Sequence, residues 1–356
     1  MFPFLSLICL TRLGQASIPN SDLDKLILGL RVTSGSWAGT YVQVHQNSPG
    51  FRWYFVTEGL RGIADRDQHF GIESLLNQYL AHLDKHMLID DVPDISVLAT
   101  VPADSDDTYA ASFILLCLSI SNSRAGSQWL MDNLARVKAV AKTVLLENQL
   151  TTGPSRGLIP TFSKHRTHFP PDVLHTPFCY LEDSCENYAA LSKLGTFLRS
   201  VKDSDAANYE EAAAHLARAI ERFFSPKDSA FYVLDGQIGG PWLEPKNVKF
   251  YPGRASQVFP ELFGVPLGSP KRTRELYNAG WAFLNANHDR WYQEPPTDGS
   301  TGGFPWMILG VVAQMRHETA IVNKQIAWFD RELTAGAKQN LFGQIQELGF
   351  RRFLTK

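Results

Sequence analysis

Apolar residues return at helical spacing along almost the whole 356-residue chain, and that repetition limits the fold more than any other feature of the sequence. The pattern predicts helices at 22–30, 52–64, 70–87, 106–120, 126–150, 182–198 and 206–224. Later ones follow at 255–263, 271–286, 303–316 and from 325 through 333 towards 346, with a weaker segment at 40–45. Gly- and Pro-containing loops join them, and no linker interrupts the series. One stretch differs: 231–238 alternates around Asp235-Gly236, which predicts a small inserted β-hairpin. About twelve helices without a composition break suit an all-α fold, an (α/α)6 toroid of six helical hairpins forming one domain over 17–356. A solenoid is the competitor, but the fixed-period signature of such arrays is missing.

Composition narrows the function classes. The 44% hydrophobic and 12% aromatic content supplies a packed core, and the formal net charge is −2 with no run of Lys and Arg. A nucleic-acid partner therefore has little electrostatic support. Residues 2–10 form an apolar run followed by Gly14-Gln15-Ala16, so 1–16 is expected to be a signal peptide and the protein periplasmic or secreted. No Lys or Arg precedes that run, however, which keeps a cytoplasmic location open. No other stretch nears the roughly 20 apolar residues of a membrane span. Of Cys9, Cys117, Cys179 and Cys185, Cys117 reads as a small buried hydrophobe, and Cys179 and Cys185 could pair in an exported protein. Nothing in the sequence speaks to oligomeric state.

Two acidic helix starts carry the chemistry. Asp104, Asp106 and Asp107 immediately precede or open an apolar helix, where capping and the helix dipole explain one or two acids but three poorly. Crowded carboxyls raise the pKa of at least one of them, which yields a general acid beside an ionised base. A second cluster, Glu182, Asp183, Glu186 and Asn187, opens another helix and places Glu182 and Glu186 on one face. Toroid loops gather at one end of the ring, so the two starts are expected to face each other across its mouth. Opposed carboxylates with aromatic side chains for sugar rings are what glycosidic cleavage requires.

Among the aromatic residues, Trp37 and Trp242 in apparent loops are the better binding candidates, with Tyr109, Tyr251 and Trp306. Arg254 and Gln257 could hydrogen-bond sugar hydroxyls, and Asp298 opens a glycine-rich turn that lacks the Lys of a phosphate loop. His165, His168 and His175 fit no standard metal spacing, so neither metal nor cofactor is expected.

The segments Asp104 to Ala111 and Glu182 to Ala189, and Tyr251-Pro252 with Gln257 and Pro260, together resemble bacterial six-hairpin glycosidase-like proteins over most of the chain. The resemblance implies an acid and a base at the mouth of the toroid, as in family 8 cellulases, which cut polysaccharides, often with inversion. It assigns the working pair to Asp104, Asp106 or Asp107 with Glu182 or Glu186, although the Ser-Glu-Gly-Gln acid segment of those cellulases is absent. Asp104 to Thr108 also resembles the DxDDT motif of class II terpene cyclases, which would make Asp106 the acid. Those enzymes place it between two helical barrels, and this chain has length for about one. A saccharide-binding protein without turnover would use the same cleft. The expected function is thus a glycoside hydrolase acting on a poly- or oligosaccharide.

Overall fold

The computed structural model describes residues 17–43, 50–97, 99–170, 178–236, 249–294, 304–336 and 339–355. In chain order the α-helices are α1 Asn20–Gly29, α2 Trp53–Arg61, α3 Asp67–Phe70, α4 Ile72–Ala81, α5 Asp106–Ile120, α6 Arg124–Val140 and α7 Leu181–Ser200. There follow α8 Ala206–Glu221, α9 Phe259–Leu262, α10 Pro270–Asn287, α11 Met307–Met315, α12 Thr319–Ala335, α13 Gln339–Phe342 and α14 Ile345–Phe353. Helical periodicity thus marks most elements correctly, and the differences have local causes. Gly71, at φ 65°, separates α3 from α4 inside the segment predicted as one helix. Tyr41 pairs with Arg31 in an isolated β-bridge, so no helix forms at 40–43. Trp306, at φ 52°, delays the start of α11 to Met307.

The expected hairpin at 231–238 runs past the described residues, which stop at 236, and within 231–236 the chain does not pair with itself. Ala230–Phe231 pairs with Phe224–Ser225, whereas Leu234–Gly236 pairs antiparallel with Phe178–Tyr180 just ahead of α7. The alternation does mark extended chain, but its partners lie elsewhere, because a two-stranded hairpin alone is marginal and each short strand is better satisfied beside a helix start. A third pair joins Asp90–Asp91 to Val101–Pro102.

Helix contacts close into a circuit. α2 packs on α5, α5 on α7, α7 on α9, α9 on α11, α11 on α14, and α14 returns to α2. Outside it, α1 lies on α14, α4 and α6 on α5, α8 on α7, and α12 on α11. The sequence explains the division: α5 is buried around nearly its whole circumference, as a helix enclosed on all sides must be, while α8 and α10 keep a polar face. Where α2 meets α14 the backbones touch: a Cβ on Gly349 would lie 2.0 Å from the Gly59 carbonyl oxygen, so only glycine fits. A buried pair of hydrogen bonds from Arg351 to Asp330, at 2.7 Å each, ties α14 to α12, and Asp330 also accepts the Ile18 amide at 2.9 Å. Both ends of the described chain are thereby held to the same helices.

Cys117, Cys179 and Cys185 are buried and free, so the expected pairing of the last two is not made. No helix among the described residues is long and apolar enough to cross a membrane.

Candidate active site

A cavity of about 720 Å³ opens where several circuit helices begin. Its lining includes Arg52 and Tyr54 from the start of α2, Asp104, Ser105 and Thr108 from α5, and Glu182 and Asp183 from α7. Tyr251, Trp306, Gln344 and Gln346 line other parts of the wall. Helix N-termini carry partial positive charge, so this end of the fold favours the carboxylates it collects.

The three acids at the start of α5 take three different positions. Asp104 sits half-exposed in the cavity wall and accepts a hydrogen bond from Arg52 Nη1 at 2.8 Å. Asp106 turns away from the cavity. Its Oδ2 accepts the Ser163 amide at 2.9 Å, and Arg166 grips both its oxygens while also donating to Asp90. Burial raises the Asp106 carboxyl and Arg166 opposes that rise. Asp107 is fully buried: Ser105 Oγ donates to Oδ1 at 2.7 Å, the Thr108 amide to Oδ1 at 2.9 Å, and Asn187 Nδ2 to Oδ2 at 2.7 Å. Burial still pushes it up to about 7. Of the three acids expected from the sequence as alternatives for one working carboxyl, Asp104 lines the described cavity, Asp106 anchors the 163–166 loop and Asp107 sits behind the wall.

At the start of α7, Glu182 and Asp183 both line the cavity. Tyr251 Oη donates to Glu182 Oε1 at 2.8 Å, and Glu182 Oε2 has no hydrogen-bond partner among the described residues. Burial pushes Glu182 to about 7. Thr161 Oγ1 donates to Asp183 Oδ2 at 3.0 Å. Burial, then the neighbouring Asp107, Glu182 and Glu186, hold Asp183 well above the usual carboxylate range. Glu186 lies one turn deeper on α7, buried, with Tyr54 Oη donating to Oε1 at 2.7 Å, and it is absent from the wall.

Tyr251 and Trp306 form an aromatic face in the wall, with ring centroids 4.7 Å apart and Phe304 edge-on to Trp306 at 5.3 Å. Other binding candidates are core or scaffold residues. Trp37 is buried and stacks on His82 at 4.2 Å, because a Gly-flanked tryptophan here folds inward beside Phe51. Tyr109 donates its hydroxyl to Asp91 at 2.7 Å in the interior. Gln257 clamps both the amide and carbonyl of Phe231, at 2.7 and 2.9 Å. Arg254 does not line the cavity, and Asn187 serves Asp107 instead of a ligand. Trp242, Asp298 and His175 lie outside the described residues. Among the described residues no group of His, Cys, Asp and Glu could hold a metal ion.

One carboxyl went unseen in the sequence. Glu347, fully buried next to the cavity-lining Gln346, accepts the Met307 amide at 2.7 Å through Oε2, capping α11. Its Oε1 has no partner among the described residues, and burial raises the carboxyl to about 8. The available signal was a third acid in a first helical turn, Gln344 to Glu347, at a place where the periodicity merged three helices into one. Arg52 and Thr161 were also missed, since their roles arise only where the start of α2 and the loop before residue 178 meet the other helix starts.

These raised carboxyls set a pH dependence. Asp91 and Glu182, at about 7, and Glu347, at about 8, hold protons that an unfolded chain loses near pH 4. The folded state therefore binds more protons between those limits, and stability falls as pH rises through 7 to 8. Thermal unfolding at pH 5.5 is expected at a higher temperature than at pH 8.5; an equal or lower value at pH 5.5 would contradict this electrostatic picture.

Scans against protein-family models and curated proteins return no match. Solved structures do resemble the fold. The GH63 mannosylglycerate hydrolase from Thermus thermophilus, in complexes with Tris and with glucose, matches with TM-scores of 0.65 and 0.62 at 10% identity, covering 95% of this chain and 100% of that one. An uncharacterized conserved protein from the same organism matches with a TM-score of 0.61 at 11% identity and the same coverage. At such identities the likeness is one of fold alone.

Proposed function

We propose that the protein is a glycoside hydrolase and that the circuit α2, α5, α7, α9, α11 and α14 is the inner ring of an (α/α)6 toroid. In this reading Asp183 is the general acid and Glu347 the general base. The observation that carries it is the cavity-lining Asp183, a carboxyl kept protonated by burial and by three neighbouring acids. A group that retains its proton near neutrality can give it to a leaving glycosidic oxygen. Glu347 supports the second role: α14 stands three steps from α7 in either direction round the circuit, so the two carboxyls come from opposite sides of the ring. Its unpartnered Oε1 is the atom that, once Glu347 is ionised as pH approaches about 8, would take a proton from an attacking water. Opposed carboxyls of this kind leave room for that water, and inversion is the stereochemistry they favour. The Arg52–Asp104 pair and the Tyr251–Trp306 face would hold sugar hydroxyls and rings.

The cavity volume suits a short glycoside better than a long polymer bound along a groove. The cyclase reading loses its acid, because both oxygens of Asp106 are taken by Arg166. The test is release of reducing sugar from short glycosides, mannosylglycerate among them because a structural neighbour hydrolyses it, and from soluble polysaccharides. Proton NMR of the first product anomer accompanies it. Release with inverted configuration supports the proposal; retained configuration removes Glu347 as a base acting through water, and binding without release replaces the hydrolase with a saccharide-binding protein.

A further inference from the structure

The D-S-D-D-T motif at the start of α5 contributes one residue that the proposed reaction does not use directly. Asp107 lies behind the cavity wall, and two residues set it beside Asp183. Thr161 accepts the amides of Asp106 and Asp107 with its carbonyl, at 2.8 and 3.3 Å, while its hydroxyl donates to Asp183 Oδ2 at 3.0 Å. Asn187, one turn beyond Asp183 on α7, donates to Asp107 Oδ2 at 2.7 Å. The two carboxyls thus share a frame but not the same supply of donors. Asp107 receives three hydrogen bonds, from the Ser105 hydroxyl, the Thr108 amide and the Asn187 amide, whereas among the described residues Thr161 alone donates to the Asp183 side chain. Donors to a carboxylate stabilise its charged form, so the better-served member of a close pair takes the charge and leaves the proton to the other.

We propose that Asp107 is a positioning residue that carries the negative charge of this pair, so that Asp183 keeps the proton it donates. The proposal rests on Asp183 as the acid of the reading above. The other titratable groups facing Asp183 among the described residues are Glu182, Cys185 and Glu186 from α7 itself, Cys179 and Tyr180 from the strand before it, and Tyr251 from the segment across the cavity. Of the charged neighbours, Asp107 acts on Asp183 most strongly. Asp107→Asn preserves shape, and Asn187 can accommodate it by turning its amide, since Asn187 Oδ1 has no partner among the described residues.

The experiment titrates the Asp183 side-chain carboxyl by NMR in protein labelled with ¹³C-aspartate, its resonance assigned by its loss in Asp183→Asn. In Asp107→Asn the Asp183 midpoint is expected to fall by about one pH unit or more, as removal of an adjacent like charge requires. A smaller shift, or none, overturns the proposal: a purely structural Asp107 would lower thermal stability and leave that midpoint in place. If Asp107→Asn does not fold, Ser105→Ala removes one donor from Asp107 and is expected to move the midpoint in the same direction; no movement there overturns it equally. The titration needs no substrate, so it stands apart from the hydrolysis assay: release from no glycoside would sink the proposed reaction while the midpoint shift still decided the coupling.

Discussion

Replacing Asp183 by Asn is expected to lower kcat by about 10²–10⁴-fold with the fold intact, the range that loss of a general acid or base produces. The asparagine side-chain oxygen can still accept the Thr161 hydroxyl, so the α7 start keeps its tie to residue 161 while the transferable proton is gone. Glu347→Gln is the companion experiment and should fall in the same range. Its amide oxygen continues to accept the Met307 N–H, so the cap on α11 survives and only the basic oxygen is lost. Glu182→Gln is the necessary contrast, because Glu182 lines the same cavity and is also held near 7. If Glu182→Gln loses activity to this degree and Asp183→Asn does not, the acid has been assigned to the wrong neighbour. Circular dichroism and thermal unfolding of each variant separate lost chemistry from lost structure.

Asp106→Ala is expected to cost about 3–5 kcal/mol of stability, because it leaves Arg166 buried without its main partner. The side chains of Arg166 and Asp106 are 5% and 1% exposed, so water replaces the lost contact poorly. Asp90, 42% exposed, remains to the guanidinium but is the weaker and wetter contact. A double variant, Asp106→Ala with Arg166→Met, should recover much of the loss, since it removes the stranded charge along with its partner. Urea unfolding of the two variants measures the difference. An Asp106→Ala protein of wild-type stability but without activity would reverse the assignment and return Asp106 to the chemistry.

These two predictions separate residues that are indistinguishable in the sequence. Asp104, Asp106 and Asp107 stand within four positions, and crowding alone suggests a shared task. In the fold, Asp104 reaches a rim arginine from α2, Asp106 reaches a loop arginine sixty residues on, and Asp107 reaches an asparagine of α7. Successive residues at a helix start point in directions about 100° apart, so neighbours in sequence necessarily face different surroundings. The opposite error occurred at Trp37, where a loop-like context suggested exposure but local packing against Phe51 and His82 buried the ring.

What the sequence determined by itself is the helical class, the helix at 106–120 to the residue, and the two acidic helix starts, because apolar periodicity and N-terminal acids act within a few turns of chain. Tertiary structure alone decided which acids meet in a cavity, that α14 returns beside α2 through Gly59 and Gly349, and that Glu347, from the far end of the chain, is buried beside the cavity-lining Gln346 and caps α11. The reason is physical: the charge state of a carboxyl depends on burial and on donors that arrive from distant segments, and no local pattern carries that information.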